Sequence, residues 1–125
     1  MAQVLGIGGV FFKADDGQGL RDWYARVLGL SVEDWGGVIF KPSGRGHQVW
    51  SPFKADTDYF KPSPHPYMIN LMVDDLDGVL KKAAAEGVEP VGRQDDESFG
   101  KFAWLMDPNG LKVELWEPVA DASAS

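Results

Sequence analysis

Two kinds of periodicity alternate along the chain. In residues 7–14, Val10, Phe12 and Ala14 alternate with Gly9, Phe11 and Lys13, a period of two that predicts a strand. Asp15 and Asp16 then offer a helix N-cap, and Leu20, Trp23, Tyr24, Val27 and Leu28 recur at helical spacing before Gly29, a residue suited to a left-handed stop. Short strands are expected at 30–34, 38–41 and 47–53, the last after Pro42-Ser43-Gly44. The same order then returns. Residues 68–73 read as a strand, Asp74-Asp75 caps a helix with an apolar stripe at Leu76, Val79, Leu80 and Ala83, and Gly87 closes it. Strands follow at 88–91, 101–106 and 111–117, the last two joined by the turn Asp107-Pro108-Asn109-Gly110. Each half is therefore βαβββ.

The halves also share punctuation. Pro42 and Trp50 correspond to Pro108 and Trp116 at one common spacing of 66 residues (42 to 108, 50 to 116). A repeat of that length in 125 residues implies two copies of one supersecondary unit. The expected organisation is a single domain over 1–118, with module one at 5–53, a Pro-rich linker at 54–66 (Pro62, Pro64, Pro66), module two at 67–118 and a flexible tail at 119–125. A four-stranded sheet with one helix buries only one face. Two such sheets side by side form an α+β fold of eight strands around an uncovered trough, a natural place for a small molecule.

Composition narrows the function. The formal charge of −7 argues against a nucleic-acid partner, which needs a positive footprint. Absence of cysteine removes disulfide and thiolate chemistry and fits a reducing, cytoplasmic compartment. Neither a signal peptide nor a membrane span is read, because the apolar run 4–12 is short and broken by Gly6, Gly8 and Gly9. That glycine cluster precedes a strand instead of leading from one into a helix, so it is no dinucleotide fingerprint.

Asp15, Trp23-Tyr24, Leu28-Gly29-Leu30, Val73-Asp74-Asp75-Leu76 and the run from Asp107 to Leu115 resemble the vicinal oxygen chelate superfamily, over residues 5–118. That superfamily includes glyoxalase I, bleomycin-resistance proteins, fosfomycin-resistance enzymes and extradiol dioxygenases. The resemblance implies four trough positions, usually His or Glu, that hold a metal in metal-dependent members. Here it places Glu114 on the second module's last strand and Gln48 at the corresponding place in the first, with Met68 and Gly9 on the two first strands. One carboxylate, one amide, one thioether and one hydrogen make a poor set for a divalent ion, so no metal and no cofactor are expected. His47, beside Gln48, is expected on the opposite face, and His65 in a loop.

Strand parity gives the trough Phe11, Lys13, Gln48 and Trp50 from the first half. From the second come Asn70, Met72, Phe102, Trp104, Met106, Glu114 and Trp116. Aromatic faces would stack a flat ligand, and Glu114 would orient it or attract a cation. The first functional expectation is metal-independent binding of a small aromatic or cationic molecule, in a homodimer as the resemblance implies. The second is a glyoxalase- or dioxygenase-like enzyme with a degenerate site and Glu114 as ligand or catalytic base. The third is a structural or regulatory domain whose trough is filled by its own loop 54–66, through Tyr59 or Phe60.

Overall fold

The structure is a computed structural model and describes residues 2, 5, 7–42 and 44–119. Gly6 of the glycine cluster, Ser43 of the Pro-Ser-Gly turn and tail residues 120–125 lie outside the described residues. The element order is α1 (Gly17–Leu28), β1 (Ile69–Met72), α2 (Leu76–Ala85), β2 (Gly92–Asp96), β3 (Gly100–Met106) and β4 (Lys112–Pro118). These strands make one mixed sheet in the order β1-β4-β3-β2, with β1 parallel to β4 and the other pairs antiparallel.

Both helices form where their caps and stripes predict. The Asp16 carboxylate accepts from the Gly19 N–H at 3.0 Å, and the Asp75 carboxylate accepts from the Gly78 N–H at 3.1 Å. At the end of α1, Gly29 takes φ 74, which lets its own N–H and that of Leu30 close on the carbonyls of Ala25 and Tyr24. The helices share one core. Trp23 and Val27 of α1 pack with Leu76 and Ala83 of α2 against Ala103, Leu105, Val113 and Leu115 of the sheet. The first half's helix is thus part of the second half's core.

The turn between β3 and β4 is tied to α1. Asp107 is buried, and its carboxylate accepts from the Asn109 and Leu111 N–H groups and, at 2.6 Å, from the Tyr24 hydroxyl. Burial, reinforced by the Asp107 charge and hydrogen bond, holds the Tyr24 phenol pKa well above its ordinary value. The Asp-Pro-Asn-Gly signature is therefore a brace between the halves.

Two expectations need correction. The strand expected at 88–91 forms instead at Gly92–Asp96, a run with Arg93 and two aspartates. It is an edge strand, where charge is tolerated and discourages further pairing, so apolar alternation did not mark it. Second, the described residues hold four strands, all from the second half. The segments 7–14, 30–34, 38–41 and 47–53 make no ladder. Alternation predicts which side chains share a face, but a strand needs a neighbour for its backbone. Here Phe11, Ile39, Phe40, Val49 and Trp50 are exposed, and local bonds such as Glu33 N–H to the Gly37 carbonyl replace a ladder.

Candidate functional site

The face of the sheet away from the helices carries two cross-strand rows. Asn70, Glu114, Trp104 and Gly92 lie opposite one another across β1, β4, β3 and β2; Met72, Trp116, Phe102 and Gln94 form the next row. The missing side chain at Gly92 leaves room for the Trp104 ring, since a Cβ there would lie 3.2 Å from that indole. Phe102 stacks nearly parallel to both tryptophans, at 6.4 Å and 13° from Trp104 and 6.1 Å and 3° from Trp116.

Glu114 is the centre of this face and is only 7% exposed. Burying a carboxylate is costly unless donors replace its water. Three do so. The Asn70 amide donates to Oε1 at 2.6 Å, the Trp104 indole N–H to Oε2 at 2.8 Å, and the Tyr59 hydroxyl to Oε2 at 2.5 Å. Two of these donors stand on strands; Tyr59 comes from the linker. Its ring meets Trp104 edge-on at 6.1 Å and 88°, and Phe53 stacks on it at 5.5 Å and 21°. Burial and the Glu114 hydrogen bond hold the Tyr59 phenol pKa well above its ordinary value.

Lys112, two residues before Glu114 on β4, shares this face. Its ammonium donates to the Tyr59 carbonyl at 2.7 Å and lies 5.2 and 5.4 Å from the ring centres of Tyr59 and Trp104. Burial pushes its pKa down, against the opposing pull of Glu114. Lys112 was not among the residues expected here, although the parity that placed Glu114 and Trp116 on this face also marks it.

The structure brings Asn70, Phe102, Trp104, Glu114 and Trp116 together. The Trp116 indole also donates to the Phe99 carbonyl at 2.8 Å. Gly9, Phe11, Gln48, Trp50 and Met68 have other surroundings. Phe11 is 92% and Trp50 83% exposed, and Gly9 is exposed beside the Phe11 ring. Gln48 accepts the Ile7 N–H through Oε1 at 2.6 Å, and Met68 is half-buried just before β1. His47, expected on the opposite face, instead meets Trp116 edge-on at 5.3 Å, because residues 47–53 form no strand to impose parity. His65 bonds the Asn109 carbonyl at 2.8 Å through Nε2.

The family-implied metal quartet does not fit a divalent ion. Glu114 already serves three donors, Gln48 spends its oxygen on Ile7, Met68 offers a soft sulfur and Gly9 nothing. Among the described residues, no three His, Asp or Glu side chains gather as a metal site, and no helix is long and apolar enough to cross a membrane. A separate apolar cleft of about 470 Å³ lies along β1, lined by Leu28, Val38, Phe40, Leu71 and Val73.

The fold has known counterparts. TnmS3, an antibiotic binding protein from Streptomyces sp. CB03234, is 23% identical over 84% of this chain and 88% of its own, with a TM-score of 0.53. A glyoxalase/bleomycin resistance protein, also from Streptomyces sp. CB03234, is 23% identical over 83% of this chain and 93% of its own, with a TM-score of 0.52. No curated protein matches the chain. The model of the glyoxalase-like domain matches residues 9–116, and the chain belongs to that family, within the vicinal oxygen chelate superfamily.

Proposed function

We propose that the protein binds a small aromatic or cationic molecule without a metal, on the face formed by Trp104, Phe102 and Trp116, with Glu114 orienting the ligand. The observation that carries this reading is a buried carboxylate held beside parallel aromatic rings. Such a face offers stacking and one directional acceptor, which suits recognition. TnmS3, which shares the fold, is an antibiotic binding protein, in keeping with this reading.

The complete trough would add Gly9, Phe11, Gln48, Trp50 and Met68 as its other wall, its eight strands supplied by the two modules, in a homodimer. Support comes from the exposed apolar side chains of the first half and from the open outer edge of β1 beside its apolar cleft. Light scattering should give twice the chain mass; a monomer at all concentrations would contradict the dimer.

Binding is tested by fluorescence titration of the wild type, Trp116→Ala and Glu114→Gln with neutral and cationic aromatic compounds. Loss of one stacking partner should weaken binding by roughly several-fold to tenfold in a variant that keeps its circular dichroism. Glu114→Gln should weaken a cationic compound more than a neutral one. Equal affinity in all three proteins would remove this face as the site. One contact favours a second reading, a self-filled face: the Tyr59 phenol already occupies Glu114.

A further inference from the structure

Tyr59 differs from the other two donors to Glu114 in where it comes from. Asn70 and Trp104 are fixed by β1 and β3, whose backbones are paired along the sheet. Tyr59 is carried by the linker, outside any helix or strand, and remains 39% exposed. It is the donor that can leave without opening the sheet. Its leaving would uncover an aromatic slot bounded by Trp104 and Phe53, the two rings that now hold the phenol.

The vacated slot has definite chemistry. Glu114 Oε2 would lose its shortest hydrogen bond while remaining under the Trp104 indole. A buried carboxylate stripped of a donor is expensive, so an occupant without an O–H or N–H is disfavoured against Tyr59 itself. A cation is disfavoured for another reason. Lys112 already places its ammonium 5.4 Å from the centre of the Trp104 ring that bounds the slot, and a second positive charge would meet it there. Shape, donor and charge together describe a neutral, flat aromatic bearing a hydroxyl.

We infer that Tyr59 is an internal stand-in for the ligand, and that the site takes a phenolic aromatic molecule whose hydroxyl replaces the Tyr59 hydroxyl on Glu114. This deepens the proposed function and rests on it. It also joins the two readings of the face, because a self-filled slot is the resting state of a slot that exchanges occupants. The linker then acts as a competitor within the chain, and its closed population lowers apparent affinity by the fraction of time the slot is taken.

The test uses a naphthol and the corresponding methoxynaphthalene, which match in shape but not in donor, against wild type, Tyr59→Ala, Tyr59→Phe and Glu114→Gln, followed by tryptophan fluorescence. Removing the internal competitor in Tyr59→Ala should tighten naphthol by about tenfold and the ether by the same factor, because a closed slot penalises every ligand of the open one equally. Tyr59→Phe keeps the ring and removes only the hydroxyl. It should weaken the closed state and tighten both probes while leaving the preference for naphthol over the ether unchanged, and it decides the matter if Tyr59→Ala fails to fold. Glu114→Gln should narrow that preference. If the two probes bind every variant equally, or if neither Tyr59 variant binds naphthol more tightly than wild type, the stand-in role is wrong while aromatic binding survives. If no variant binds either probe or a cationic aromatic control, the proposed function falls with it.

Discussion

Trp116 and Trp50 occupy equivalent places in the repeat, yet Trp116 is 7% exposed and Trp50 is 83% exposed. The difference extends to the halves that carry them. In the second half every expected strand but one forms where alternation placed it, with paired neighbours and a helix-covered face. Among the described residues of the first half only the helix forms, and it does so by packing on the second half's core. A helix satisfies its own backbone; a strand depends on a partner. The same sequence pattern therefore yields different outcomes depending on whether a neighbour is present within the chain.

The largest test of this contrast concerns packing. Leu105→Ala removes a fully buried side chain beneath the sheet and should cost about 2–5 kcal/mol in urea unfolding. Ile39→Ala, at an exposed first-half position, should stay within about 0.5 kcal/mol for the isolated chain. A comparable loss at Ile39 would mean that the first half is packed against something, and a concentration-dependent loss would identify a second copy.

Smaller effects probe the joint between the halves. Asp107→Ala leaves the Tyr24 hydroxyl and two turn N–H groups without their acceptor and should cost about 1–3 kcal/mol. The helix caps offer a matched pair. Asp16→Ala and Asp75→Ala should each cost about 1 kcal/mol, because both aspartates accept one first-turn N–H in the same way. A much smaller loss for Asp16 would show that α1 is held chiefly by its buried stripe.

The smallest effect is in pH dependence. Tyr24, Tyr59 and Tyr67 all have phenol pKa values raised above 10.0, principally by burial. A raised folded-state value means that their stabilising contribution is intact below pH 10.0, the unfolded-state value, and is lost as pH rises toward the folded values. Ultraviolet titration of the folded protein should therefore show less than half of the phenolate signal at pH 10.0, the remainder appearing with alkaline unfolding.

Several of these features were legible in the chain. Parity put Asn70, Phe102, Trp104, Glu114 and Trp116 on one face because those residues lie in strands that form. It failed for His47, whose neighbours make no ladder. The strand at Gly92–Asp96 was hidden because an edge strand need not look apolar. Lys112 was visible in principle, two residues from Glu114. Tyr59 could be named as a filler of the trough, but the fit of its hydroxyl to Glu114 depends on the linker's path across the face, which no periodicity encodes.

If the face around Glu114 binds a ligand, the Trp104 indole N–H reports on it directly through its 2.8 Å bond to that carboxylate. The five tryptophans should give five indole N–H signals in a nuclear magnetic resonance spectrum. On addition of naphthol, the Trp104 and Trp116 signals should shift together and saturate with one affinity, while Trp35 stays in place as an exposed control. Saturable binding that leaves the Trp104 signal unmoved would contradict the account.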